Sequence, residues 1–325
     1  MIIVTDAGGA EVRAVLFREY DFEVGDKENT FLITCNRAEW ESMENGARLY
    51  IPDTEYGGLF KRLETDTKRK TIAVGGFTWR GMLQNKIIQP PSGQDYATDS
   101  GELNAIIKAR VEAAFPGLFT GSSQSTGVTT TFQYNRYVTL YDGLKALLKK
   151  KGYKMAIRYD QTLKKVVVEA VPIIDYSNRI EYSSDMNANY YMTKEAMGVN
   201  HLICLGQGEL KNRTVVHLYV DADGNISQTQ TFTGSDEITA VYDYAGAARA
   251  DLIQSGTDQL AQMRNYNAFK IELESAVDVA VGDIVGGRDY VSGMTMTAPI
   301  TGKVVTWRDG FERTEYVLSD DIEIE

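Results

Sequence analysis

The sequence predicts a mainly β protein carrying an inserted α/β module, an α+β fold, and three observations carry that expectation. Residues 1–88 hold short β-rich runs spaced about ten residues apart with turn signals between them, the pattern of a small barrel or sandwich. Pro90-Pro91-Ser92-Gly93 then breaks the pattern, and helical periodicity follows it. From residue 173 the β texture returns and holds almost to the end. The expected division is a first β unit at 1–88, an inserted α/β domain at 89–172, and a second β unit at 173–325 with a helical insertion near 243–266. A chain of 325 residues, 43% apolar and 24% charged, is long enough for two or three such modules.

In the first β unit, residues 12–22 alternate irregularly, 30–35 are apolar, and 47–51 follow the Asn45-Gly46 turn signal. Tyr56-Gly57-Gly58 opens a strand to Leu63, and Lys68-Arg69-Lys70 precedes the strand that begins at Thr71. The basic cluster Lys61, Arg62, Lys68, Arg69 and Lys70 suits the exposed edge and turn of a hairpin, where Lys blocks edge pairing. Residues 71–92 read as the unit's final strand, with Trp79 and Arg80 holding its edge and Pro90-Pro91 launching the insertion. In the insertion, Asp99-x-x-Glu102 reads as a capping box ahead of Leu103, Ile106, Ile107, Val111, Ala114 and Phe115 at helical spacing, and Pro116-Gly117 stops that helix. Residues 121–127 read as a loop. Thr139-x-x-Asp142 starts a second helix bearing Leu140, Leu144, Leu147 and Leu148. It ends at three lysines and Gly152, where cations suit the negative end of the helix dipole. Strands at 153–159 and 164–171 close the module. In the second β unit, strands are expected at 201–205, 213–220, 226–232, 269–273, 279–285, 294–307 and 311–318, with a helix over 243–266. Asp309-Gly310 is the hairpin signal between the last two strands, and the acidic residues 320–325 read as a loose tail. Gly75-Gly76 before Trp79 and Gly286-Gly287 before Tyr290 read as similar turns, a loose likeness between the two β units.

Chemistry-bearing motifs are scarce. His201 and His217, the only two histidines, each lie in an apolar strand-like run and suit a sheet face better than a ligand set. Cys35 and Cys204 stand far apart and read as buried reduced thiols. Asp221-Ala222-Asp223-Gly224-Asn225 resembles the start of a calcium loop, but its glycine falls too early and Phe232 stands where the bidentate glutamate belongs, so a hairpin tip is expected. Gly206-x-Gly208 lacks the rest of a dinucleotide fingerprint and reads as a turn. Glu39 and Glu41 beside Trp40 read as a surface segment rather than a carboxylate pair for catalysis. No nucleophile elbow or phosphate loop occurs, and no cofactor or metal is expected. Net charge is −11, which disfavours stable binding of a phosphate backbone. The 19 tyrosines, among them Tyr134, Tyr141, Tyr159, Tyr190 and Tyr191, combine strand propensity with interface chemistry. The polar residue Asp6 comes too early for a signal peptide, and no apolar run approaches the ~18 residues of a membrane span. The expectation is a protein made in a cytoplasm that stays soluble.

The order of motifs resembles siphophage Gp37-like tail proteins. The likeness runs through Thr5-Asp6, residues 31–40, Leu49-Tyr50-Ile51 and Tyr56-Gly57-Gly58-Leu59-Phe60. It continues through Val74-Gly75-Gly76-Phe77-Thr78-Trp79-Arg80-Gly81-Met82-Leu83, Lys86 to Pro91, and Val281-Gly282-Asp283-Ile284-Val285-Gly286-Gly287-Arg288-Asp289. Such proteins are similar to the hub module of tail-associated lysins and to myophage baseplate hubs. The resemblance implies two β-barrel tube domains with inserted α/β structure, assembled as a homotrimer whose pseudo-six-fold ring meets the tail tube at the virion tail tip. Implied partners are a distal tail or tail tube protein, the tape-measure protein and a tip or fibre protein, with DNA only in transit through the lumen. A lysin activity is not carried over, and the chain is expected not to be an enzyme. The alternative is a receptor- or carbohydrate-binding tail-tip adhesin, with an exposed aromatic pocket. Residues given a structural role are Gly75, Gly76, Trp79, Arg80, Pro90, Pro91, Gly282, Asp283, Gly286 and Gly287.

Overall fold

The computed structural model describes residues 1–15, 17–43, 45–177, 188–194, 197–222, 224–264, 267–273, 279–319 and 323–324. Two compact units emerge: residues 1–190 with 270–325, and residues 191–269. The chain opens with β1 (Ile2–Thr5), β2 (Glu11–Val15), β3 (Glu19–Gly25), β4 (Thr30–Asn36), β5 (Arg48–Tyr50), β6 (Gly57–Leu59), β7 (Arg62–Asp66) and β8 (Thr71–Phe77). The short helix α1 (Trp79–Gln84) leads to β9 (Thr98–Glu102), α2 (Leu103–Ala114), β10 (Phe119–Gly121), β11 (Thr129–Gln133), α3 (Leu140–Lys149), β12 (Tyr153–Asp160) and β13 (Lys165–Pro172). After β14 (Ala188–Lys194) come β15 (His201–Leu205), β16 (Val215–Val220), β17 (Ile226–Ser227), β18 (Thr239–Asp243) and α4 (Arg249–Met263). The last strands are β19 (Asn267–Leu273), β20 (Ile284–Arg288), β21 (Thr295–Arg308), β22 (Phe311–Leu318) and β23 (Glu323–Ile324). The protein is mostly β, 42% strand and 18% helix.

The largest sheet has the order β14-β19-β22-β21-β3-β4-β8-β7, with β20 and β23 also pairing with β21. Its logic is the two-residue period: Tyr20, Phe22 and Val24 of β3 are buried while Glu19, Asp21 and Glu23 take the other face. A second sheet, β2-β1-β5-β6, lays Ile2, Val4 and Leu49 against Phe22, Phe31, Ile33 and Val74, and this packing is the sandwich core. Because β21 pairs with β3 from Gly302↔Gly25 to Arg308↔Glu19, strands from the two ends of the sequence share one sheet.

The sheets meet where Gly58 bridges Thr78. A Cβ on Gly58 would lie 2.2 Å from the Phe77 carbonyl oxygen, and one on Gly76 would lie 2.2 Å from that of Leu59. These glycines therefore let two backbones touch. Gly75-Gly76 lies inside β8 and Gly286-Gly287 inside β20, not in the turns expected. On the opposite side β2 and β3 do not pair, and among the described residues no sheet closes into a barrel.

The α/β layer pairs β10 parallel and β12 antiparallel to β13, with α2 and α3 burying Ile107, Val111, Leu144 and Leu147 beside Val166 and Val168. Helix α3 starts as expected: Thr139 Oγ1 accepts the Asp142 amide at 3.0 Å. Helix α2 does not, because residues 98–102 are drawn into β9 by pairing with β11, and Asp99 instead binds Arg110 and Tyr134. Its cap is Glu102, which accepts from the Ala105 amide at 2.9 Å and from the Thr126 amide and hydroxyl at 2.7 and 2.6 Å. Glu102→Ala is expected to cost about 1 kcal/mol in thermal denaturation at neutral pH. Burial alone would raise this carboxyl, but the Thr126 and Ala105 donors outweigh it and hold it below its ordinary 4.5. The stabilisation is thus full above pH 4.5 and fades as pH falls through the lowered value, so the gap from wild type closes in acid.

In the second unit the sheet β17-β16-β15-β18 is crossed on one face by α4, with Leu202, Cys204, Val216, Leu218, Leu252 and Leu260 between them. The helix begins at Arg249 rather than near 243, because residues 239–243 become β18, parallel to β15. The strand expected over 226–232 stops at Ser227. The Asp221 loop is a hairpin tip, its Oδ1 accepting the Asn225 amide at 2.8 Å, while Asp223 lies outside the described residues.

Further boundaries shift: the strand expected at 279–285 starts only at Ile284 and runs to Arg288 as β20. The expected strand from Tyr56 to Leu63 is two, β6 and β7, and the irregular run 12–22 is split between β2 and β3. Part of the acidic tail forms β23 against Met296 and Thr297, and Asp320, Asp321, Ile322 and Glu325 lie outside the described residues. Both cysteines are free and buried. Among the described residues no helix is long and apolar enough to cross a membrane.

Candidate functional site

Thr78 ends β8 by donating its amide to Asn29 O at 3.0 Å and caps α1. That turn drives the next two side chains inward: Trp79 is 0% exposed and Arg80 4%. The pair expected on a strand edge is therefore the first turn of a buried helix. The Trp79 ring stacks on Tyr159 at 5.9 Å and meets Phe119 edge-on at 6.4 Å, so it joins α1 to β12 and β10. Its indole N–H makes no hydrogen bond among the described residues.

Arg80 Nε donates to Glu55 Oε2 at 2.7 Å, and its Nη2 donates to the Met155 carbonyl at 3.2 Å. Burial works against the guanidinium, but Glu55 and Tyr141 outweigh it and raise its affinity for the proton. Tyr141 donates to Asp26 Oδ1 at 3.2 Å, and Lys145 donates to Asp26 Oδ2 at 2.6 Å. Asp26 sits in the β3–β4 turn and gives its amide to Thr301 of β21 at 2.8 Å. The network thus ties α1 and α3 to both halves of the large sheet.

Two more anchors close on β12. Arg48 of β5 donates to Tyr159 Oη at 3.0 Å, to the Lys164 carbonyl, and to the Ala7 carbonyl at 3.2 Å. The Tyr50 ring lies tilted against Tyr159 with centroids 4.3 Å apart, and its hydroxyl donates to Glu11 at 2.9 Å and accepts from Gln161 at 3.1 Å. Burial foremost pushes its hydroxyl up to about 12. Further along, Lys154 pairs with Asp283, which is 1% exposed. Asp283 also accepts the Ile174 amide at 2.8 Å and the Ala280 amide at 3.0 Å. Gly282 supplies the left-handed turn (φ +98°) that brings it there. One strand of the α/β layer, β12, is therefore held at Lys154, Met155 and Tyr159 by side chains from three distant stretches of chain. The arrangement is suited to holding layers rigid, and among the described residues no group of three His, Cys, Asp or Glu is placed to hold a metal.

A model of the Siphovirus ReqiPepy6 Gp37-like protein family matches residues 38–317. The chain belongs to this family. No curated protein sequence matches it. Among solved structures, prophage tail protein gp18 from Listeria monocytogenes EGD-e has a similar fold, with TM-score 0.50 at 13% identity over 98% of this chain and 94% of that one. The tail protein from Neisseria meningitidis MC58 gives 0.49 at 14% identity, covering 98% and 96% of the two chains. A chain of the phage P2 baseplate in its activated conformation gives 0.49 at 11%, covering 98% of each.

In this Gp37-like chain seven of the ten signature residues fall at two junctions, and three lie elsewhere. Gly75, Gly76, Trp79 and Arg80 meet at the first junction, whereas Gly282, Asp283 and Gly286 form the second, where the chain after β13 pairs Asp175 with Ile284 and sets Ser177 against Gly286. Gly287 pairs with Met296 within β20 and β21. Pro90 and Pro91 stand apart, in the connector from α1 to β9. Sequence reading missed Arg48, Glu55, Asp26 and Lys154, and singled out Tyr141 only as one of many tyrosines. Arg48 carried a signal, since an arginine inside the apolar run 47–51 needs partners wherever that run is buried. Tyr182, and the side chains of Tyr190 and Tyr191, lie outside the described residues.

Proposed function

We propose that this Gp37-like chain is a structural hub protein of a phage tail tip, or of a phage-like particle. It assembles as a homotrimer whose pseudo-six-fold ring joins the tail tube to the tip and leaves a channel for DNA. The observation that carries this reading is the family match over residues 38–317. The tail-protein fold shared with the Listeria prophage protein and the polar clamps on β12 support it. A part that passes load between a tube and a tip needs its layers fixed to one another, and buried charge pairs hold them in one register. Residues 1–88 and 173–325 supply the two ring-forming β units, and residues 89–172 act as the insertion between them. The role is mechanical, with no catalytic step. The partners in this reading are a distal tail or tail tube protein, the tape-measure protein and a tip or fibre protein. Native mass measurement of the purified chain, alone and with a tail tube protein, is expected to give a trimer, and class-averaged images a ring with a central hole. A chain that stays monomeric in both conditions overturns the proposal.

A further inference from the structure

The second unit places its two histidines together. Strands β15 and β16 pair antiparallel with His201 opposite Tyr219 and Ile203 opposite His217, so the imidazoles are diagonal neighbours on one face. His201 Nε2 lies 2.8 Å from His217 Nδ1, and the His201 ring stacks on Tyr219 at 4.4 Å. On its other side, His201 Nδ1 lies 2.6 Å from Glu237 Oε1 and 3.2 Å from the Thr239 hydroxyl. A carboxylate can only accept, so Nδ1 carries the hydrogen and Nε2 of the neutral ring presents its lone pair to His217. Glu237 is itself held by Gln230 Nε2 at 3.1 Å. A carboxylate fixing one imidazole nitrogen so that the other stays basic is the outer arrangement of metal-binding histidines.

We propose that His201 and His217 form a two-imidazole clasp for a borderline divalent ion of the Zn²⁺, Ni²⁺ or Cu²⁺ class, bridging β15 and β16. Two nitrogens on one tetrahedral ion, each about 2.0–2.1 Å away, stand about 3.3 Å apart. The present 2.8 Å must open by about half an ångström, and His217 is exposed and can turn to allow it while His201, 8% exposed, stays fixed. The exchange balances: the ion takes the lone pairs of His201 Nε2 and His217 Nδ1, the Nδ1 hydrogen of His217 passes to its Nε2, and the hydrated ion releases both the waters that the nitrogens replace and those lost as it becomes tetrahedral. Imidazole ligands select these ions over Mg²⁺ and Ca²⁺. Among the described residues no third protein ligand completes the set, so the remaining positions carry water.

The test is calorimetric titration of the tag-free full chain with ZnCl₂, and paramagnetic resonance of the chain loaded with Cu²⁺. The expected result is one ion per chain, two-nitrogen hyperfine structure from Cu²⁺, and no heat from MgCl₂. His217→Ala and His217→Gln should each weaken binding about tenfold or more, and Glu237→Gln about 10–100-fold. Circular dichroism shows that the variants fold, and the glutamine variant keeps a hydrogen-bonding side chain on β16 if alanine disturbs the sheet. Absence of saturable Zn²⁺ binding, a one-nitrogen Cu²⁺ signal, or binding unchanged in both His217 variants overturns the clasp.

Discussion

Glu55→Leu is expected to destabilise the first unit by about 3–5 kcal/mol in urea denaturation, because it strands the Arg80 guanidinium in the interior without its counter-charge. The side chains are 5% and 14% exposed for Arg80 and Glu55, so water cannot replace the lost carboxylate. Arg80 keeps its bond to Met155 O, but a carbonyl dipole does not neutralise a full charge. The companion Arg80→Met in the Glu55→Leu background should recover most of the loss, since an apolar pair of similar volume avoids the cost of burying charge. A double-mutant cycle then reports a coupling far above the 0.2–1 kcal/mol typical of exposed pairs. A single-variant loss below about 1 kcal/mol would show that the pair is wet, contrary to the geometry above.

Trp79→Ala is expected to cost about 3–5 kcal/mol by the same measurement, through a cavity opened between Tyr159 and Phe119. Trp79→Phe should cost much less. Phenylalanine keeps an aromatic ring in the stack and removes an indole N–H that has no hydrogen-bond partner among the described residues, a donor whose burial is itself unfavourable. If the alanine variant unfolds no earlier than wild type, α1 is not the wedge between the layers that its burial indicates.

Local pattern was legible and long-range approach was not. The apolar run 30–35 exposed β4, and a threonine cap ahead of four leucines exposed α3. The glycine pair at 75–76 misled because Gly-Gly usually punctuates turns. Its need arises from Leu59, on another strand, passing within 2.2 Å of where a Cβ would stand. Helix α1 escaped because six residues are too few to show a helical period, leaving Thr78 as its only local sign. Of the junction, Trp79, Arg80, Gly282 and Asp283 stood out in the sequence. Glu55 and Asp26 did not, since acids in turns look alike whether they face water or a buried cation.

The pairing of β3 with β21 also imposes a schedule on synthesis. Glu19 and Arg308, which face each other across that seam, are separated by 289 residues. At about 5–20 residues per second, a ribosome delivers the second of them roughly fifteen seconds to a minute after the first. Throughout that interval β3 carries a bare edge, open to any other nascent strand on the same polysome. Only β21 seals that edge, so a chain cut short before residue 302 is expected to be lost to aggregation.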